Sequence, residues 1–247
     1  TRLSIDHVIS PEIEVAQAIS RGLEFPGAFD VISFADGGFK LIGLRVTTES
    51  PIVNTPLMHI NSLFSSLDIR VVGIRRGDSK FMPEPKDKLI AGDEVYFLTP
   101  STQVLDALYA FGYQGSAARK ILIVGGGNIG LFLAKSLAEK TSAVNICIVE
   151  KDPERAELIA QELRDITVIC GDALDSEILQ EAGVAHVDTV VSVTQDDRVN
   201  TLSTLLSKRL GARNAMALTN KTSFGPLVLS LGVDAVIAPR KITVSSI

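Results

Sequence analysis

No feature constrains this chain more than the run Ile121-Leu-Ile-Val124 leading into Gly125-Gly-Gly-Asn-Ile-Gly130. A short, wholly apolar run is what a strand buried on both faces of a parallel sheet looks like. The residues after it, Ile129, Leu133, Ala134, Leu137 and Ala138, recur at helical spacing. The glycines between strand and helix follow the G-x-G-x-x-G pattern, and each has a physical task. Gly125 permits the tight turn. Gly127 lets a pyrophosphate approach the backbone. Gly130 lets the helix sit close on the strand. The first turn, Asn128, Ile129 and Gly130, would offer phosphates its unpaired N–H groups and the positive end of the helix dipole.

Everything from residue 120 to 247 extends that pattern. Strands are expected at 121–124, 145–150, 167–170, 189–193, 215–218 and 235–238, with helices at 129–140, 153–164, 176–182, 198–210 and 223–231. This alternation predicts a Rossmann-type, doubly wound parallel sheet of α/β class. Pro153 suits the first helical position after Asp152 as cap. Val199, Leu202, Leu206 and Leu210 are the expected apolar stripe of the fourth helix.

Glu150 stands twenty residues beyond Gly130, at the end of the second strand. A carboxylate there can accept hydrogen bonds from both ribose hydroxyls of an adenosine. It repels a 2′-phosphate, which favours NAD(H) over NADP(H). Two further segments fall at carboxyl ends of strands. In Gly171-Asp-Ala173, Asp172 is placed either to receive the adenine amino group or to cap the helix that begins near Asp175. In Thr194-Gln-Asp-Asp-Arg-Val-Asn200, Thr194 and Gln195 fall near the phosphates or the distal ribose, and Asp196 and Asp197 read as helix starts. Lys221, beyond the fifth strand, is a candidate phosphate partner.

Residues 25–112 have a different texture, with more strands than helices, and read as a smaller α+β domain. Phe29–Phe34 and Phe39–Val46 flank the hairpin signal Ala35-Asp-Gly-Gly38. Leu57–Leu67 can form a helix. Ser101 can cap another that runs to Ala110. Arg75 and Arg76 are either an anion site or solvated surface. Residues 113–119 read as a linker. Residues 1–24, a strand ending at Pro11 and then a helix, repeat the far end at an offset of 228: Asp6 on Asp234, Val8 on Val236, Ile9 on Ile237, Pro11 on Pro239, Ile19 on Ile247. The expectation is a fragment of a tandem array, beginning with the end strand and crossover helix of a preceding unit.

Composition narrows the function. The net charge of −5, with no basic stripe, argues against nucleic acid. No apolar run approaches the roughly 20 residues of a membrane helix, so no direct membrane insertion is expected. Thr1–Ser20 lacks the apolar core of a signal peptide. Cys147 and Cys170 lie in apolar runs and are expected to be buried free thiols in a reducing cytoplasm. No metal-ligand spacing is present. A general acid or base for hydride transfer is missing too: His186 precedes the fourth strand, and Tyr96, Tyr109 and Tyr113 lie outside the nucleotide unit. An NAD-dependent oxidoreductase module is therefore the alternative, and a non-enzymatic sensor the main expectation. A packing-only Rossmann scaffold is a third possibility.

The ordered motifs Ile121–Gly130, Val149-Glu-Lys-Asp152, Gly171–Leu179, Asp196–Asn200, Gly232-Val-Asp234 and Ala238-Pro-Arg240 resemble the RCK (TrkA-N) domain family. Phe34-Ala-Asp-Gly37, Val71–Gly77 and Gly92-Asp-Glu-Val95 look like its companion TrkA-C (RCK-C) domain. The resemblance implies a cytoplasmic regulatory subunit, peripheral at the inner face of the plasma membrane. Such a subunit binds NAD or NADH, or ATP and ADP, and gates an integral-membrane potassium transporter of the Trk type. It also implies a homo-oligomer, in which the segment from Arg240 begins a helix crossing to a partner. Gly125, Gly127, Gly130, Glu150 and Asp172 match the ligand positions. Many members carry Arg where this chain has Asn128, which removes a cation near the phosphates.

Overall fold

The computed structural model describes residues 10–25, 27–113, 118–140, 143–221 and 223–239. The strand expected at residues 4–9, most of the linker and the helix expected from Arg240 lie outside the described residues. Helix α1 (Pro11–Glu24) opens on the proline and buries Val15, Ala16, Ile19 and Leu23. Pro239, the counterpart of Pro11 in the 228-residue offset, is also helical.

The chain divides into two compact units. One is Arg21–Ala117; the other joins the residues through Ser20 to those from Ala118 onward. The first contains β1 (Ala28–Phe34), β2 (Phe39–Arg45), α2 (Ile60–Leu63), β3 (Arg70–Arg76), β4 (Ser79–Phe81), β5 (Glu94–Pro100) and α3 (Val104–Ala110). Its five strands form an antiparallel sheet in the order β1-β2-β5-β3-β4. One face, with Ile42, Leu44, Val95 and Phe97, packs against Ile60 of α2 and Val104, Ala107 and Leu108 of α3. Phe97 and Phe111 stack with ring centroids 4.6 Å apart at the centre.

Two expectations fail in this unit. Ser101 caps no helix: its hydroxyl donates to the Gly37 carbonyl and its N–H to that of Gly38, so it closes the β1–β2 hairpin loop instead. A short 3-10 turn, Ser101–Gln103, leads into α3 in place of a capped start. Arg75 and Arg76 are neither a vacant anion site nor simply solvated. Arg76 grips the buried Asp93 with Nε and Nη2, each at 2.8 Å. Glu94 is held between Arg45 at 2.8 Å and Arg75 Nε at 2.7 Å. Burial opposes both negative charges, yet the arginines, and for Asp93 the Ile90 N–H, hold both carboxyls below the usual range.

The second unit holds β6 (Lys120–Val124), α4 (Asn128–Lys140), β7 (Asn145–Glu150), α5 (Pro153–Glu162), β8 (Thr167–Cys170), α6 (Ser176–Glu181), β9 (Thr189–Ser192), α7 (Asp197–Arg209), β10 (Asn214–Leu218), α8 (Gly225–Ser230) and β11 (Ala235–Ile237). The six strands are parallel in the order β11-β10-β9-β6-β7-β8. That is the doubly wound Rossmann order. It reverses between β6 and β9, and the crevice there opens at the carboxyl ends of the strands. Ile121–Val124 are all buried.

Helix α7 corrects the expected stripe in part: Leu206 and Leu210 pack against the core as expected. Its buried face is Asn200, Ser203, Thr204 and Ser207, while Leu202 is 53% exposed. Small polar side chains let the helix approach β9 and β10 closely. Two hydroxyls on this face find partners, whereas that of Ser207 has none among the described residues: Thr204 Oγ1 donates to the Asn200 carbonyl at 2.7 Å, and the Ser203 and Ser192 hydroxyls pair at 2.8 Å. Cys170 is a second correction. It is exposed, because it ends β8, the last strand of the sheet; Cys147 is half-buried.

Candidate nucleotide-binding site

The loop from β6 to α4 sits at the strand-order reversal. Gly125 donates to the Val149 carbonyl at 2.9 Å and holds φ +103°, which a side chain would strain. A Cβ at Gly125 would also come within 2.9 Å of Thr194 Cγ2, so the loop and the start of the β9–α7 connection are in direct contact. A Cβ at Gly130 would lie 2.0 Å from the Gly125 carbonyl oxygen. A Cβ at Gly127 would meet nothing within 4 Å. Three glycines of one motif thus answer to three different demands: a backbone angle, a close packing contact and an open approach.

The helix ladder of α4 opens with the Leu131 N–H donating to the Gly127 carbonyl at 2.9 Å. The N–H groups of Asn128, Ile129 and Gly130 precede it, and by helix geometry they lack an intrahelical acceptor. They form the positive end of the helix beside the open flank of Gly127.

Glu150 reaches back to this loop. Its Oε2 accepts the Gly126 N–H at 2.6 Å and its Oε1 the Asp152 N–H at 2.9 Å. Each oxygen keeps a further lone pair. Asp152 then caps α5 through the N–H groups of Glu154 and Arg155, with Pro153 in the first turn.

Asp172 is not the cap of α6. It accepts the Leu174 N–H at 2.9 Å and pairs with Lys151 at 2.7 Å, and these bonds hold its carboxyl below the usual range. Asp175 itself caps α6, through the Glu177 N–H. Ala173 is buried beneath that turn. Asp196 caps α7, and its carboxyl is lowered to about 2 by the Arg198 side chain and N–H. Asp197 departs from a simple helix start: it accepts the N–H groups of Asn220 and Lys221 and the Asn220 amide, pinning the loop after β10. The Lys221 ammonium lies over the Phe224 ring, 5.3 Å from its centroid.

Three residues escaped the sequence reading. Gly126 is crowded: a Cβ there would meet Ile159 Cδ1 at 2.2 Å and Glu150 Oε2 at 3.0 Å. Its signal was the extra glycine that makes the motif Gly-Gly-Gly. Arg155 donates Nε to the Gly126 carbonyl at 3.0 Å, so a cation from α5 stands beside the loop. Asn200 is fully buried and bonds Thr194 and the end of β10. Its signal was the polar stripe Asn200, Ser203, Thr204, Ser207, at helical spacing. Among the described residues no group of three or more potential metal ligands occurs, and no helix is long and apolar enough to cross a membrane.

The TrkA-N domain model matches residues 121–239 and the TrkA-C domain model residues 41–112. The Trk system potassium uptake protein TrkA of Azorhizobium caulinodans is 43% identical over 99% of this chain and 54% of its own length. That of Vibrio alginolyticus is 33% identical over 99% of this chain and 53% of its own. The chain therefore spans about half the length of the curated relatives it matches. A crystal structure of the GsuK RCK domain matches 94% of this chain and 49% of that one, with a TM-score of 0.63 and 20% identity. The GsuK channel bound to NAD matches with a TM-score of 0.62 at 18% identity, over 96% of this chain and 41% of its own. These two likenesses bear on the fold. Together with the two domain matches and the similarity to curated relatives along almost all of this chain, they lead to one conclusion: the chain belongs to the TrkA family, as a TrkA-C domain followed by a TrkA-N domain.

Proposed function

We propose that the TrkA-N domain binds an adenine nucleotide, NAD or NADH in preference and ATP or ADP in competition, and thereby regulates a membrane potassium transporter. The observation that carries this reading is the contrast within the glycine loop. Gly125, Gly126 and Gly130 are closed in by neighbours, while Gly127 faces open space next to the free N–H groups of α4. The fold alone gives no reason for a glycine there; an approaching phosphate does. Gly127 and the first turn of α4 would hold the phosphates. Glu150 would take the ribose hydroxyls on its remaining lone pairs, and a 2′-phosphate would meet its charge. Asp172, just past the end of β8, would receive the adenine amino group. Thr194 borders the loop on the other side. Asn128 supplies no cation; Arg155, anchored on the Gly126 carbonyl, stands beside the loop and could supply one.

The chain acts in this reading as a sensor, not an enzyme. The curated relatives are named for potassium uptake, and one structure similar in fold was solved with NAD. The partner is an integral-membrane subunit of the Trk type, the location the inner face of the plasma membrane, and the assembly a homo-oligomer. A nucleotide shifts such an assembly only by binding its two shapes with different affinity. Calorimetric titration of NADH, NAD, ATP and ADP tests the reading. Saturable binding is expected, and Gly127→Val should weaken it roughly a hundredfold, about 2.7 kcal/mol, with no change in melting temperature. An absence of binding by all four nucleotides would overturn it.

A further inference from the structure

At the first turn of α7, one buried amide joins two loops that the nucleotide reading treats separately. Asn200 Oδ1 accepts both the N–H and the hydroxyl of Thr194, each at 2.7 Å. Its Nδ2 donates to the Thr194 carbonyl at 2.9 Å and to the Leu218 carbonyl at 3.0 Å. The backbone N–H, the carbonyl and the hydroxyl of Thr194 thus all end on one side chain, and that side chain also holds the last residue of β10. Three residues earlier, Asp197 clamps Asn220 and Lys221, immediately beyond β10, at 2.9–3.1 Å. On the other side Thr194 touches Gly125 of the glycine loop.

We propose that Asn200 is a positioning residue that couples the nucleotide loop to the β10–α8 connection, with Asp197 as the distal arm of the same device. The proposal rests on the nucleotide reading above. A ligand seated on the glycine loop restrains Gly125, and therefore Thr194. All three polar groups of Thr194 bond Asn200, and its hydroxyl has only longer contacts elsewhere, at 3.3 Å to the N–H and carbonyl of Asp196. A fully satisfied buried amide resists partial displacement, because each bond broken leaves a buried group without a partner. The restraint passes through α7 as a short rigid segment and reaches Asn220 and Lys221, ahead of α8. α8 carries the exposed Leu227 and Leu229, so the far end of the path is a surface. The coupling is reciprocal: anything that holds the β10–α8 loop changes nucleotide affinity by the same factor that the nucleotide changes its own.

Hydrogen–deuterium exchange of the full chain, with and without saturating NADH, tests this. In the wild type, NADH should slow exchange at 125–131, at Thr194 and also at 219–224. In Asp197→Ala the first two protections should persist and that at 219–224 should disappear, with affinity changed less than about twofold. In Asn200→Ala the distal protection should be lost and affinity fall roughly fivefold or more. Asn200→Ala empties a buried site and can impair folding; Asp197→Ala changes a surface clamp and decides the question in that event. Distal protection that survives in Asp197→Ala, or that never forms in a wild type that binds NADH, overturns the coupling and leaves the nucleotide reading intact. A wild type that binds no nucleotide overturns both.

Discussion

One cluster of carboxylates in each domain shows two different uses of the same group. In the TrkA-C domain, Asp93 and Glu94 end chiefly on arginine side chains, charge against charge. In the TrkA-N domain, Glu150, Asp152 and Asp175 end on backbone N–H groups at loops and helix starts, and Asp197 takes two N–H groups and an amide of the loop after β10. A carboxylate facing an arginine fork has its geometry consumed. One facing a single N–H keeps lone pairs, and the loop it holds keeps its outer flank. The first arrangement builds a brace and the second a mount for something that arrives later.

The largest break in this comparison comes from the mount itself. Gly130→Ala drives a methyl to 2.0 Å from a backbone oxygen. It should cost the TrkA-N domain about 3 kcal/mol, seen as a lowered denaturant midpoint, while Gly127→Val leaves that midpoint in place. The brace comes next. Asp93→Ala leaves Arg76 without its partner on a half-exposed site and should cost the TrkA-C domain about 2 kcal/mol. Lowering the pH should reproduce that loss. The native carboxyls of Asp93 and Glu94 lie below their unfolded values, so their stabilisation is complete above the ordinary carboxylate range, near pH 4 to 5, and disappears as pH falls through the depressed native values. Asp30, pushed up by burial, acts in the opposite direction and softens the slope. Circular dichroism against pH, with Asp93→Ala beside the wild type, reads the difference. The smallest effect belongs to Leu202→Ser. On a helix whose stripe had faced inward as its leucines suggest, this change would be severe. With Leu202 exposed it should alter stability by less than about 0.5 kcal/mol.

Leu202 also shows what a sequence discloses and what it hides. The strands of the TrkA-N sheet were legible because burial on both faces leaves no polar residue in Ile121–Val124. The strand bounds 145–150 and 167–170 agree with the structure to the residue. Helix α7 was legible as a helix and only half legible in its orientation, since Leu206 and Leu210 pack inward but Leu202 does not. Hydrophobic periodicity assumes that the core wants bulk, whereas the face that α7 turns to β9 and β10 is made of Asn200, Ser203, Thr204 and Ser207. Ser101 failed for a related reason. A cap residue is recognised by the helical pattern on its C-terminal side, but the Ser101 hydroxyl went to Gly37, sixty-four residues away. Asn200 and Gly126 act through partners that are not their neighbours in sequence, and single-residue pattern reading has no means of seeing such partners.

The position of the two cysteines has a practical consequence. Burial pushes the Cys147 thiol up to about 11, which leaves almost no thiolate at neutral pH. Cys170 is exposed, and in the sheet it pairs with Glu150. The chain holds no other cysteine. An alkylating fluorophore added at neutral pH therefore lands at one address, a strand's width from Glu150, the carboxylate proposed for the ribose. The molecule carries its own attachment point for an optical reporter of the adenosine end, with no engineering of the sequence required.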